Sequence, residues 1–154
     1  KDLTYITLEQ EKENENEHLD VKELIINRTE YFDILVKSKK LTYDLELGNA
    51  MIFIDRRKFT RVVDNLISNA IKYNKRQGTV GIHLSQGKLV IWDTGIGIPE
   101  EKLSLVFDRF IRFNNSEGGF GIGLSIVKNI LDEYGMQIEV SSKEGEGTRM
   151  EIRW

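Results

Sequence analysis

Apolar residues repeat at helical spacing in three stretches of this chain and alternate as strands in six more. Val21, Leu24, Ile25, Phe32, Leu35 and Val36 recur at three- and four-residue intervals, and Asp20 with Glu23 supplies a capping box ahead of them. This pattern predicts a helix over 20–36. A second stripe, Phe59, Val62, Val63, Leu66, Ile67, Ala70 and Ile71, predicts a helix over 56–73 with one buried face. A third helix, over 122–134, stops at Gly135. Strands are predicted over 41–47 and 50–54 around the turn pair Gly48-Asn49, then over 79–84 and 88–92, joined near Gln86-Gly87. Two closing strands, 137–142 and 148–154, flank the turn from Glu144 to Gly147. Between Asp93 and Gly123 the chain is punctuated by glycine, and only a short helix over 100–107 is expected there. The order predicts an α+β fold: a two-layer sandwich, about three helices on one face of a mixed, largely antiparallel sheet. It lacks the strict strand-helix alternation of a dinucleotide-binding fold.

Composition narrows the picture. The chain has 154 residues, 40% hydrophobic and 31% charged, which suits one domain with a proper core. No apolar run approaches the roughly 18 residues of a membrane-spanning helix, and Lys1-Asp2-Leu3-Thr4 shows no signal-peptide pattern. With no cysteine, disulfides, thiolate zinc sites and cysteine nucleophiles are excluded. His18 and His83 are too few for a metal site built on histidines. A net charge of −3 gives no pull toward nucleic acid, so no nucleic-acid partner is expected. Residues 9–23 hold seven acids against Lys12 and Lys22 and read as a solvated linker. Leu3, Ile6 and Leu8 before it match the end of a helix. The expected division is therefore a helix end and acidic linker over 1–19, then one domain over 20–154.

Three places carry candidate chemistry. On the second helix, Asn65, Asn69 and Lys72 fall within about 60° of one another, and Tyr73 lies between them and the apolar stripe. Helix interiors seldom favour two asparagines, so a polar ligand clasped against an apolar wall competes evenly with a plain polar row. In the strand over 88–92, Leu89 and Ile91 share a face, and alternation places Asp93 on that same face. A carboxylate at a buried strand end needs hydrogen-bond donors. Gly95 and Gly97 beside it allow a flat ligand close to the backbone. Asp-Thr-Gly also occurs in aspartic proteases, but no matching second carboxylate is present. Finally, Gly119, Gly121 and Gly123 lead into a helix N-terminus, whose exposed N–H groups suit a phosphate. That run lacks the Lys-Ser/Thr of a P-loop, and a hinge is the alternative reading. Phe107, Phe110 and Phe113, with Arg109 and Arg112, lie between the two glycine groups, as in a lid anchored by aromatics.

The joint order is more specific than any one signal. Asn65 to Tyr73, Asp93 to Ile98, Phe107 to Phe110, and Gly119 to Leu124 resemble the N box, the first G box, the F box and the second G box of sensor histidine kinases. Gly145-Glu146-Gly147-Thr148 resembles the glycine motif that closes the same domain. The resemblance covers about residues 20–154. It implies the Bergerat ATP-binding fold, shared with certain chaperones, gyrase-type topoisomerases and mismatch-repair ATPases. It implies ATP and Mg²⁺ as cofactors: Asn69 as metal ligand, Asn65 beside it, Lys72 on a phosphate, Tyr73 flanking adenine and Asp93 accepting the adenine amino hydrogen. Gly95, Gly97, Ile98, Phe110, Gly119, Gly121, Ile122, Gly123, Leu124 and Thr148 would complete the nucleotide site, and Arg112 would reach the γ-phosphate. Asn65, Asn69, Lys72 and Arg112 would serve catalysis.

The family's phosphoacceptor box is missing. His18 is followed by Leu19 rather than an acid, and His83 alternates away from Val80, Ile82 and Leu84. The resemblance thus implies an excised, cytoplasmic, monomeric catalytic domain. Its partners would be the phosphoacceptor hairpin of the same kinase dimer and, indirectly, a response regulator. The alternatives are a hydrolytic ATPase of the same fold, which carries a glutamate where Asn65 stands, and a serine kinase of the anti-sigma type. A nucleotide-binding module serving only as an interaction surface is a further rival.

Overall fold

The structure, a computed structural model, describes residues 13–107 and 120–154. Its main sheet has five strands in the order β2-β4-β5-β7-β6. These are β2 (Thr42–Leu47), β4 (Thr79–Ser85), β5 (Lys88–Asp93), β6 (Gln137–Lys143) and β7 (Gly147–Arg153). β2 runs parallel to β4 and the other pairs are antiparallel. Helices α1 (Val21–Tyr31), α2 (Asp33–Ser38), α3 (Arg56–Lys72) and α4 (Phe120–Glu133) form the second layer, with a 3-10 turn over Glu100–Leu105. No described helix is long and apolar enough to cross a membrane.

Period-two alternation sorts the sheet into two unlike faces. Val80, Ile82, Leu84, Leu89, Ile91, Met150 and Ile152 point into the core beneath α3 and α4. Gly81, His83, Trp92, Arg149, Glu151 and Arg153 alternate to the other face, which no described helix covers. The seven apolar residues of the α3 stripe are all buried, as their spacing predicts.

Three local expectations are corrected. Residues 16–20 are not linker: they form β1 (Asn16–Asp20), antiparallel to β3 (Met51–Asp55) in a separate two-stranded sheet. Only Leu19 faces inward, fully buried, while the other four residues are exposed. A strand with one apolar side chain has no visible alternation; backbone pairing with β3 holds it. Next, Gly48-Asn49 does not close a hairpin. β2 and β3 lie in different sheets, and the Gly48 N–H donates to the Leu84 carbonyl (2.9 Å), which directs the chain away from its own strand. Finally, the helix expected over 20–36 is two segments meeting at Phe32. The Tyr43 hydroxyl donates to the Thr29 carbonyl (3.1 Å), the acceptor that a continuous helix would assign to the Asp33 N–H.

α3 starts on a buried carboxylate. Asp55 is 1% exposed and caps the helix by accepting from the Arg57 N–H (2.8 Å). It also takes the Glu15 N–H (2.9 Å) and the Arg57 guanidinium (2.7 Å). Burial pushes its pKa up, but these donors outweigh it and hold the group at about 2. A carboxyl depressed in this way adds stability above its unfolded pKa that disappears as pH falls through the folded one. Asp55→Ala should therefore cost about 2 kcal/mol at neutral pH, the scale of a lost cap plus a charge-assisted bond. In urea titrations that difference should shrink as pH falls from 4 towards 2.

Candidate functional site

A cavity of about 290 Å³ opens where the C-terminal half of α3 meets the ends of β5 and β7. Leu66, Ala70, Ile91 and Met150 give it an apolar floor, and Asn69, Asp93 and Thr148 are polar groups on its wall. Tyr73 and Ile98, both nearly buried, also line it. This is the usual make-up of a small-molecule site: an apolar slot with a few convergent polar atoms.

Asp93 is the half-buried carboxylate that strand alternation placed on the core face. The N–H groups of Gly95 (2.8 Å) and Thr148 (3.3 Å) both donate to its Oδ1. Its Oδ2 takes no donor among the described residues, so one oxygen is anchored and the other is available to a ligand. Burial raises the pKa to about 6, against the opposing pull of the two N–H groups and the Lys39 charge. Lys39 itself crosses the end of α3, its ammonium donating to the carbonyls of Ile71 and Lys72 (both 2.9 Å).

Backbone crossings hold the loop after β5. The Ile96 N–H donates to the Tyr73 carbonyl (3.1 Å) and the Gly145 N–H to the Ile96 carbonyl (2.7 Å). The space a Gly95 side chain would need is filled by that Tyr73 carbonyl, and Gly95 does not line the cavity. Gly97 lines it at a φ of +71°, with the Lys143 carbonyl where its Cβ would be. Both glycines thus make room for the protein's own backbone, which differs from the close ligand approach expected of them. Beneath the loop, Thr94 Oγ1 donates to Asn74 Oδ1 (3.1 Å) and accepts from the Thr79 N–H (2.9 Å). Ser142 Oγ accepts from the Ile98 N–H (2.7 Å) and donates to the Gly147 carbonyl (2.8 Å). Thr148 Oγ1 lies 2.9 Å from Ser142 Oγ.

The expected site residues separate into groups. Asn69, Tyr73, Asp93, Gly97, Ile98 and Thr148 are brought together around the cavity. The Asn69 amide makes no hydrogen bond within the described residues, which suits a ligand-facing role. Asn65 and Lys72 do not line the cavity. Asn65 Nδ2 donates to the Arg61 carbonyl (3.0 Å) one turn back, and Lys72 is exposed. Gly121, Ile122 and Gly123 lie in the first turn of α4. Leu124 is fully buried in the hydrophobic core rather than at the cavity surface. Phe110, Arg112 and Gly119 lie outside the described residues. Sequence reasoning missed Lys39, Asn74 and Ser142. Ser142 had a signal: alternation sets this hydroxyl on the core face with Ile138 and Val140.

Residues 54–154 match the family described as histidine kinase-, DNA gyrase B- and HSP90-like ATPases. Sensor protein kinase WalK of Staphylococcus haemolyticus is 39% identical over 140 residues, covering 83% of this chain and 22% of that protein. Sensor protein kinase WalK of Staphylococcus aureus is 37% identical over the same length. The chain thus spans about a fifth of the first of these relatives. A mycobacterial sensor histidine kinase, MprB, superposes with a TM-score of 0.76 at 30% identity, over 88% of this chain and 95% of that one. The catalytic domain of histidine kinase ThkA gives 0.79 at 27% identity, over 90% and 93%. The chain belongs to the family of histidine kinase-, DNA gyrase B- and HSP90-like ATPases, and within it is the ATP-binding domain of a sensor histidine kinase.

Proposed function

We propose that this domain binds ATP with Mg²⁺ and presents the γ-phosphoryl to a histidine on a separate helical hairpin of the same kinase dimer. The observation that carries the reading is Asp93, with one oxygen held by two N–H donors and the other available at an apolar slot. That oxygen would accept the adenine amino hydrogen. Tyr73, Ile91, Ile98 and Met150 would sandwich the base. Asn69, whose amide has no protein partner among the described residues, would hold the metal, with the Asn65 carbonyl oxygen on the same helix side. Bound Mg²⁺ would supply charge neutralisation on the phosphates. Lys72, Arg112 and the Gly119, Gly121 and Gly123 run would face the phosphate end. The phosphoryl would pass onward to a response regulator. The supply of ATP sets the domain on the cytoplasmic side.

Neither histidine lines the cavity, which supports an acceptor outside this chain. His18 sits on β1 with its ring 4.8 Å from that of Phe53, and His83 lies on the uncovered sheet face. Hydrolysis is the weaker reading because it needs a base at the position of Asn65, and an amide is none. Asp64 next to it is engaged by Arg28 in a two-point pair (2.8 and 2.9 Å).

Asp93→Asn should weaken ATP binding about 10- to 100-fold, the scale of a hydrogen bond to a charged group. Wild-type chain should prefer ATP to GTP, whose ring carries an oxygen at that position; equal affinities by calorimetry would sink the assignment. The raised Asp93 pKa adds a sign. Its carboxyl contributes most to folded stability below about pH 4, and that contribution is lost as pH rises from about 4 through about 6. Adenine needs the ionised form, so ATP affinity should rise as pH passes 6. Asp93→Asn should lack that component while sharing the titration of the nucleotide phosphates.

Asn69→Ala should remove the Mg²⁺-dependent part of ATP affinity and leave the circular dichroism spectrum unchanged. Retention of the wild-type Mg²⁺ dependence would show that the metal ligand is elsewhere. Incubated alone with γ-labelled ATP and Mg²⁺, the chain should acquire no acid-labile, base-stable phosphate. Adding a hairpin that bears the cognate histidine should restore transfer, slowly, because the tether is absent.

A further inference from the structure

On the sheet face opposite the nucleotide cavity, β2 and β4 bring together three side chains that no part of the reading above uses. Parallel pairing sets Glu46 beside His83, and Asp44, two residues earlier, projects from the same face. One ligand atom from each lies within 4.8 Å of the other two. We propose that Asp44, Glu46 and His83 form a binding site for a zinc-class divalent cation.

The decisive feature is His83 Nε2. Solvent does not reach this atom, and it has no hydrogen-bond partner. Asp44 Oδ1 lies 3.5 Å away without making a hydrogen bond to it. Two ligands of a tetrahedral zinc ion with bonds of ~2.0–2.1 Å stand roughly 3.4 Å apart, so this spacing fits an ion between them. The His83 side chain is 35% exposed, but its shielded Nε2 without a hydrogen bond is a cost that a bound cation would remove.

The imidazole is also held in place. Trp92 meets its ring edge-on, with centroids 6.1 Å apart and planes at 86°. Trp92 in turn occupies the space above Gly81, its cross-strand partner, where any side chain would collide with the indole. The carboxylates are uncommitted: among the described residues Asp44 has no cationic neighbour except His83, and Glu46 has none. On the same face, by contrast, Arg149 and Arg153 pair with Glu151, and Arg153 also with Glu139. One imidazole and two carboxylates favour zinc over magnesium, which takes oxygen ligands and keeps its water. Three protein ligands leave the fourth position to water or to a side chain of another molecule. One histidine suffices here because strand pairing supplies the carboxylates, which a count of histidines does not register.

Calorimetric titration of the chelator-treated, nucleotide-free chain with Zn²⁺ at neutral pH tests the site. The expected result is one saturable equivalent that excess Mg²⁺ does not displace. His83→Ala and Asp44→Asn should each weaken binding at least ~10-fold. Asp44→Asn should keep wild-type ATP affinity, which reports an intact fold and separates this test from the nucleotide reading. Absence of saturable Zn²⁺ binding by the wild-type chain would overturn the proposal. So would binding that both variants retain at full strength, because the ion would then sit elsewhere.

Discussion

The apolar stripe of α3 has to be buried, and where it is buried decides the geometry of everything near the cavity. Phe59, Val62, Val63, Leu66, Ile67, Ala70 and Ile71 pack against β4, β5 and α4. Fully burying an aliphatic or aromatic side chain of this size contributes about 1.5–3 kcal/mol, so the helix has one rotational setting about its axis. That setting places Asn69 and Tyr73 at the border of the stripe, on the cavity wall, and turns Lys72 out to solvent. The same helix starts on Asp55 and ends under the Lys39 ammonium. Both ends are tied by charged groups from outside the helix, which limits fraying where Asn69 and Tyr73 must hold position.

Against this apolar constraint stands one polar exception. Burying Asp93 costs free energy, visible in its raised pKa, and two backbone donors offset only part of that cost. The donors come from separate parts of the sequence: Gly95 lies two residues after the aspartate, whereas Thr148 comes from the closing strand. Anchoring by both holds Oδ1 in place before any ligand arrives, which is the preorganisation a specific recognition group requires. Gly95, Gly97 and Gly147 permit the tight crossings that bring these segments together. In each case a protein carbonyl, of Tyr73, Lys143 or Asp93, occupies the place of the missing side chain.

The two sheet faces divide the work. The covered face supplies the cavity floor through Ile91 and Met150. The uncovered face carries an arginine–glutamate ladder on β6 and β7, and at its other edge the Asp44, Glu46 and His83 group. Because side chains alternate along each strand, residues such as Trp92 and Asp93 serve opposite faces while adjacent in sequence.

Local periodicity in the sequence was enough to define α3, its buried stripe, the hairpin of β4 and β5, and the side of the sheet to which Asp93 belongs. The order of the asparagine and glycine motifs was enough to indicate a nucleotide site. These are one-dimensional properties, written in the spacing of neighbouring residues. Tertiary structure alone decided that β1 is a strand, since its single apolar residue, Leu19, leaves no pattern to read. It alone decided that β2 pairs in parallel with β4, because the Gly48 bond to the far end of β4 overrides a local turn signal. Helical angle grouped Asn65 and Lys72 with Asn69, yet only Asn69 reaches the cavity, and Leu124 belongs to the core. Ser142, Asn74 and Lys39 act through hydrogen bonds to residues distant in sequence or to main-chain atoms. A backbone carbonyl or N–H is the same at every position, so which one a side chain meets is set only when the elements pack.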